Sequence, residues 1–138
     1  MAWRDAGVRL ALAAEALVGV PFRLHGRDVA TGLDCVGVVG AALAGIGRGA
    51  AVPVGYAMKM RSVDGLLGGA AACGLVPAAG PGRPGDVMLF ALGPAQFHLA
   101  VADSGGGIVH AHAGLRRVVR GALPVAWDLR ARWRLNGE

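Results

Sequence analysis

One cysteine and two histidines have the residue types needed for thiol chemistry. Cys35 opens an apolar run directly after Asp34, and His98 and His110 lie in two short runs of β-strand character. Free N–H groups and the dipole of a helix N-terminus stabilise a thiolate. The pattern therefore predicts Cys35 as a nucleophile that is ion-paired with His98, the residue that shuttles the proton. His110 would orient His98, and the backbone N–H of Cys35 would donate to the oxyanion.

The spacing of the two histidines predicts that their rings meet. Residues 97–102 and 107–112 are predicted strands, and the Asp-Ser-Gly sequence at 103–105 is typical of a hairpin turn. If the serine is the centre of a three-residue loop, His98 pairs directly with His110. A register slip of one residue would spoil this direct pairing. His112 shares the face of His110 and competes with it for the orienting role.

Helices come first along the chain and strands follow, which indicates an α+β fold. Helices are predicted over residues 4–18, 35–45 (with Asp34 as its cap) and 63–73 (capped by Ser62). Small residues of the second helix (Gly37, Gly40, Ala41, Ala44) predict close packing against another element. Residues 19–33 are a predicted loop and residues 77–84 a connector. Strands are predicted over 86–92, 97–102, 107–112 and 116–120, with a final strand or wrap over 124–133. The length suits a single domain spanning 1–138.

Composition argues against several classes of protein. The chain is 54% hydrophobic and 17% charged, which is typical of a globular domain. No segment reaches the ~18 consecutive apolar residues of a membrane span. Cys35 and Cys73 do not form a disulfide framework or a C-x-x-C zinc pair. Asp5 and Glu15 interrupt the apolar N-terminus, so we expect synthesis in the bacterial cytoplasm without an export signal.

The charge is basic and is concentrated near the C-terminus. The net charge is +5, and 13 of the 14 basic residues are arginine. This balance suits an anionic partner such as nucleic acid, a membrane surface or a carboxylate-rich polymer, or else a solvated face. No nucleic-acid-binding motif accompanies the arginines, so nucleic acid is not an expected partner. Six of them lie in the last quarter of the chain: Arg116, Arg117, Arg120, Arg130, Arg132 and Arg134.

Five ordered segments resemble the NlpC-type peptidoglycan endopeptidases, a family of papain-like cysteine peptidases. The segments are similar to the family's G-x-P-Y, G-x-D-C-S-G, P-G-D-L-x-F-F, H-V-G-I and I-H-A motifs, and together they cover most of residues 10–120. They are Gly19-Val20-Pro21-Phe22, Gly32-Leu33-Asp34-Cys35-Val36-Gly37, Pro84-Gly85-Asp86-Val87-Met88-Leu89-Phe90, His98-Leu99-Ala100-Val101 and Ile108-Val109-His110-Ala111.

This resemblance implies a papain-like NlpC-type fold in which the nucleophile helix packs on an antiparallel sheet. It implies that Cys35, His98 and His110 are catalytic and that no metal or cofactor is needed. The implied reaction passes through a thioester and cleaves peptidoglycan stem peptides, commonly between D-γ-glutamyl and a diamino acid such as meso-diaminopimelate. Phe22 replaces the family tyrosine and Val36 the family serine, so the specificity for the bond is open. Candidate substrate-binding residues are Phe22, His25, Asp34, Val36, Tyr56 and His112.

The Asp-Cys-Val-Gly variant, the short length and the expected lack of an export signal resemble the phage-type subgroup. That subgroup includes the cell-wall peptidases of tailed phages and gene transfer agents. The resemblance implies phage-like tail proteins as partners and a location on a virion or tail that acts on the cell wall.

Three alternatives use the same residues differently. A thiol amidase or acyltransferase would share the triad but pass the acyl group to an acceptor other than water. A non-catalytic tail or wall-binding protein would keep the fold with an unreactive Cys35. A zinc site made by Cys35, His98 and His110 is a further option, since thiolate and imidazole are good zinc ligands.

Overall fold

Two helices lie on one face of an antiparallel sheet in the computed structural model, which describes residues 5–48, 74–94 and 96–135. The α+β fold expected from the order of the elements is confirmed. Tyr56, Cys73 and the helix predicted over 63–73 lie outside the described residues. Within the described ranges, no helix is long and apolar enough to span a membrane.

The main sheet has six strands, and its order differs from the chain order. A two-stranded hairpin, β1 (Arg27–Asp28) with β2 (Gly32–Leu33), lies inside the segment predicted as a loop. The main sheet runs β3-β8-β4-β5-β6-β7. Its last strand therefore inserts between the first two, which the simple succession of predicted strands does not indicate. The bounds are β3 (Leu75–Pro77), β4 (Val87–Gly93), β5 (Gln96–Ala102), β6 (Ile108–His112), β7 (Arg117–Gly121) and β8 (Asp128–Leu135).

Alternation along the strands divides the interior into two layers. Leu99 and Val101 of β5 belong to the larger core, which also contains the buried residues of both helices. Ala100, between them, belongs to a smaller cluster on the opposite face with Phe90 and Ile108. Successive strand residues face opposite sides of a sheet, so His98 shares its side with Ala100.

The first helix, α1 (Ala6–Glu15), is shorter than the predicted range 4–18. Asp5 is its N-cap and accepts a hydrogen bond from the Gly7 N–H at 2.7 Å. Leu10 and Ala14 are fully buried in the larger core.

The second helix, α2 (Cys35–Gly45), has the predicted bounds. It packs on α1 and on the central strands β5 and β6, and most of its residues are buried. The expected close packing occurs at Gly37, where an added Cβ would collide with the backbone oxygen of Gly26. That neighbour is in the loop before α2 and not in the sheet, while Ala44 at the far end of the small-residue stripe is exposed.

The hairpin between β5 and β6 corrects the predicted register. Val101 pairs with Val109, so the loop is centred on Gly105 and not on the preceding serine. The Asp103 carboxylate selects this centre by accepting hydrogen bonds from the N–H groups of Gly105 and Gly107, at 2.8 and 2.7 Å. When the centre of the turn moves by one residue, each residue of β5 pairs with a residue of β6 two positions further along. Each side chain therefore stays on the same face of the sheet. His98 and His110 are therefore diagonal neighbours, and the prediction of direct pairing was wrong.

Several of the clustered arginines hold loops in place. Arg134 forms two hydrogen bonds with the fully buried Asp86 carboxylate, at 2.8 and 2.9 Å. Arg120 pairs with the buried Asp103 at 2.8 Å. Because these arginines pair with carboxylates of the protein itself, part of the basic charge near the C-terminus serves to hold the fold together.

Candidate active site

Asp34 fixes the backbone that leads into α2. Its Oδ1 accepts hydrogen bonds from the Gly37 N–H (2.8 Å) and from the Arg27 guanidinium (2.7 Å), and its Oδ2 accepts one from the His25 N–H (2.9 Å). The predicted N-cap is confirmed. The residue is 1% exposed, and both oxygens are engaged by the protein. Asp34 is thus placed to position Cys35 and not to meet a ligand.

Cys35 begins α2 and is 6% exposed. Burial raises the pKa of its thiol to about 11, and the Asp34 carboxylate contributes to that rise. Hydrogen bonds from the backbone N–H groups of Leu99 and Val36 oppose the rise, as does the positive charge of Arg27. The sulfur therefore lies between the helix N-terminus and the backbone of β5, and it is a thiol at neutral pH.

His98 and His110 form a hydrogen-bonded pair. The distance from His98 Nε2 to His110 Nδ1 is 2.8 Å, and the rings are nearly perpendicular, at 85°. Either nitrogen can carry the shared proton. If His98 Nε2–H is the donor, Nδ1 of His98 has a free lone pair and can accept a proton. The opposite tautomer would place a proton on Nδ1 of His98 and remove that capacity.

Both imidazoles are neutral at physiological pH. Burial, together with repulsion from His110 and His112, lowers the pKa of His98 to about 4. Burial and repulsion from His112 lower the pKa of His110 to about 4. The expected thiolate–imidazolium pair of Cys35 and His98 is therefore absent from the resting state. The physical reason is that burial disfavours both charges, and the third residue is an uncharged imidazole that brings no negative charge to stabilise an imidazolium. In the described part of the chain no hydrogen bond joins the Cys35 sulfur to His98.

Trp127 covers the histidine pair, a placement that the sequence did not reveal. Its ring lies edge-on to His98 at 5.3 Å and 84°, and to His110 at 5.1 Å and 83°. It also contacts Phe90 at 5.3 Å. In the sequence, Trp127 lies within the final predicted strand or wrap, and nothing local connects it with either histidine.

An open groove of about 200 Å³ lies beside the histidine pair. Its walls are Leu92, Gln96, His98, His110, Ala111, His112, Ala113, Gly114 and Trp127. His112, a candidate ligand-binding residue, is half-buried in this wall, and its ring lies 5.8 Å from that of His110. Its Nδ1 accepts a hydrogen bond from the Leu115 N–H at 3.0 Å.

The other candidate substrate-binding residues are not grouped around the pair. Phe22 is half-buried against the larger core, and its N–H donates to the Arg116 carbonyl at 2.9 Å. His25 is exposed, with a left-handed φ of 61°. The Val36 side chain is 6% exposed and belongs to the core. Tyr56 is outside the described residues.

The arrangement does not favour the alternative zinc site. Nε2 of His98 and Nδ1 of His110 are bonded to each other at 2.8 Å, so these two nitrogens are not free to bind a metal ion. Across residues 5–48, 74–94 and 96–135, no group of three or more His, Cys, Asp or Glu side chains is placed to hold a metal ion.

The solved structures similar to this chain share one fold. No protein-family model and no curated protein matches the sequence. NlpC1 from Trichomonas vaginalis matches 95% of this chain at 16% identity with a TM-score of 0.66. The P60 domain of an antigen from M. avium subspecies paratuberculosis matches 98% at 19% identity and a TM-score of 0.62. The NlpC/p60 domain of the peptidoglycan hydrolase SagA matches 89% at 22% identity and a TM-score of 0.60.

The extent of these matches differs between the structures. The chain spans about half the length of the two Trichomonas structures, 45% of NlpC1 and 48% of NlpC2. It covers 97% of the mycobacterial P60 domain and 95% of the SagA domain. These likenesses establish that the chain has the NlpC/p60 papain-like α+β fold.

Proposed function

We propose that this protein is a peptidoglycan hydrolase that acts as a cysteine peptidase, with Cys35, His98 and His110 as its catalytic residues. The observation that carries the proposal is the placement of Cys35 at the capped N-terminus of a buried helix, with its thiol against the backbone of β5, the strand that bears His98 of the hydrogen-bonded histidine pair. The fold is that of solved peptidoglycan hydrolase domains, which supports the same class of substrate.

In the proposed reaction Cys35 attacks a peptide carbonyl carbon while His98 Nδ1 takes the thiol proton. The carbonyl electrons move to its oxygen, which the Cys35 backbone N–H stabilises. When the tetrahedral intermediate collapses, the C–N bond breaks and His98 returns the proton to the leaving amine. Water then attacks the thioester, with His98 as the base, and releases the acid and the free thiol.

His110 supports this cycle as a neutral acceptor. It holds Nε2–H of His98 and so keeps Nδ1 of His98 available as the base. Because thiol and imidazole are both neutral at rest, proton transfer accompanies the attack and does not precede substrate binding.

For the bond cleaved, we propose the D-γ-glutamyl–diamino acid linkage of the stem peptide. The support is the resemblance of the segments around Cys35, His98 and His110 to NlpC-type motifs. We further propose that the protein is made in the bacterial cytoplasm and serves cell-wall penetration by a phage-like particle. The resemblance of the Asp-Cys-Val-Gly sequence at 34–37 to the phage-type subgroup supports the role in penetration, and mass spectrometry of purified phage-like particles tests it.

Digestion of purified sacculi tests the activity directly. Wild-type protein is expected to release fragments with a new diamino acid N-terminus, identified by liquid chromatography and mass spectrometry. Cys35→Ala and His98→Ala are expected to release none while keeping the wild-type thermal unfolding profile. Equal cleavage by Cys35→Ala would overturn the proposal.

The buried, protonated Cys35 also fits a wall-binding protein that has lost catalysis. That alternative predicts co-sedimentation with sacculi that is equal for the wild type and Cys35→Ala, with no fragment released by either. Release of fragments by the wild type alone excludes it.

A further inference from the structure

The groove beside the histidine pair lies at the open end of the β5–β6 hairpin. Among the residues that the structure describes, the two strands pair only next to the turn, where Val101 pairs with Val109 and Ala102 pairs with Ile108. The groove is lined by residues from the other end of both strands, including Gln96. It is thus a place where a ligand can reach polar side chains of the sheet without displacing a strand.

His112 presents one free donor to this groove. Its Nδ1 accepts the Leu115 N–H, so this nitrogen carries no proton of its own. A neutral imidazole has its single proton on the other nitrogen, which makes Nε2–H of His112 a donor for a ligand. This assignment follows from the Leu115 contact alone and is independent of the His98–His110 tautomer.

The rest of the lining suits an anionic group with an apolar stem. Trp127 and Leu92 provide apolar walls, and the Gln96 amide adds a second donor. None of the described residues that line the groove is acidic, so an anion entering it meets no opposing carboxylate there.

We propose that this groove is a subsite for a carboxylate of the peptide substrate, with His112 Nε2–H as its donor and the Trp127 ring against its aliphatic part. The identity of the ligand rests on the proposed function, whereas the donor and the groove do not. His112 is therefore a specificity-determining residue, distinct from His98, which moves protons, and from His110, which orients His98.

Calorimetric titration of the full-length Cys35→Ala protein measures this subsite without turnover. The probes are γ-D-glutamyl-meso-diaminopimelate and the same dipeptide with its carboxylates amidated. We expect amidation to weaken binding about tenfold or more, which is the size of one charge-assisted hydrogen bond. Adding His112→Phe should remove this discrimination, and adding His112→Gln, which restores an N–H at the same reach, should return most of it. Thermal unfolding of each variant verifies the fold.

The outcomes separate the subsite from the proposed function. Equal binding of acid and amide by Cys35→Ala, unchanged discrimination with His112→Phe, or no binding of either probe would overturn the subsite. If the discrimination depends on His112 but the wild type cleaves no peptide, the subsite stands and the proposed function falls. Cleavage by the wild type without this discrimination supports the proposed function and rejects the subsite.

Discussion

Replacing Asp34 by asparagine should make Cys35 more acidic while making the protein less stable. Asparagine keeps the oxygen that caps Gly37 but removes the charge that pairs with Arg27. It also turns an amide NH₂ toward the His25 N–H, where the carboxylate accepted a hydrogen bond. Losing one partner of a buried ion pair lowers the free energy of unfolding by up to about 5 kcal/mol. The Arg27 side chain is 19% exposed and therefore partly solvated, so we expect a decrease of about 2–3 kcal/mol.

Removing the Asp34 carboxylate also changes the pKa of the Cys35 thiol. The Asp34 carboxylate raises the pKa of the thiol, and Arg27 lowers it. Removing the carboxylate therefore lowers the pKa of Cys35 from its value of about 11, and burial, the largest cause, keeps it elevated. The free energy of unfolding should fall at the same time, shifting Tm by about 7–10 °C in a chain of this size.

Alkylation by iodoacetamide across neutral to alkaline pH measures the first effect, and urea denaturation measures the second. Trypsin places Cys35 and Cys73 on separate peptides, so mass spectrometry follows each thiol independently. Asp86→Asn is the matched control, because it weakens a buried pair with Arg134 away from the thiol. An unchanged or raised pKa of Cys35 in Asp34→Asn, or an equal fall in the Asp86→Asn control, would refute the electrostatic reasoning.

Four further predictions concern the histidine pair. His110→Ala should lower kcat/KM for muropeptide cleavage about a hundredfold by releasing the His98 ring, and His110→Asn, which keeps an acceptor, should lose less; equal losses would contradict the orienting role. Activity should persist on acidification until about pH 4, because His98 accepts protons only when neutral and its pKa is lowered to about 4. The free energy of unfolding, measured by urea denaturation, should decrease as pH falls from about 6.5 toward 4, because the unfolded state then binds protons that the buried imidazoles do not. A free energy of unfolding that stays constant over this pH range would contradict this. Trp127→Ala should admit water and raise the pKa of His98 and His110, seen by NMR titration, more than Trp127→Phe does; equal shifts would exclude shielding.

Local sequence signals determined much of the fold. The bounds of α2 follow from a capping aspartate before an apolar run, and both are readable within a few residues. Residues of strands β4 to β6 alternate between the two cores, and this alternation can be read from the sequence because both faces of these strands are buried. The same alternation predicted that His98 and His110 share a face.

The register of the hairpin was decided by tertiary contacts around one carboxylate. Asp103 binds two N–H groups of the turn and also Arg120 from β7, which moves the turn centre by one residue. The insertion of β8 between β3 and β4 likewise depends on pairing between distant segments. No short stretch of sequence predicts these pairings, because the paired segments are far apart in the chain.

The sequence by itself determined which residues of the site could do chemistry, and the tertiary structure decided their protonation and surroundings. Residue type and spacing indicate Cys35, His98 and His110 as the residues suited to thiol chemistry. Their neutral resting state, the cover by Trp127 and the donor of His112 are not indicated by the sequence. The physical reason is that desolvation and ring contacts depend on everything that surrounds a group in space, whereas a motif records only its neighbours along the chain.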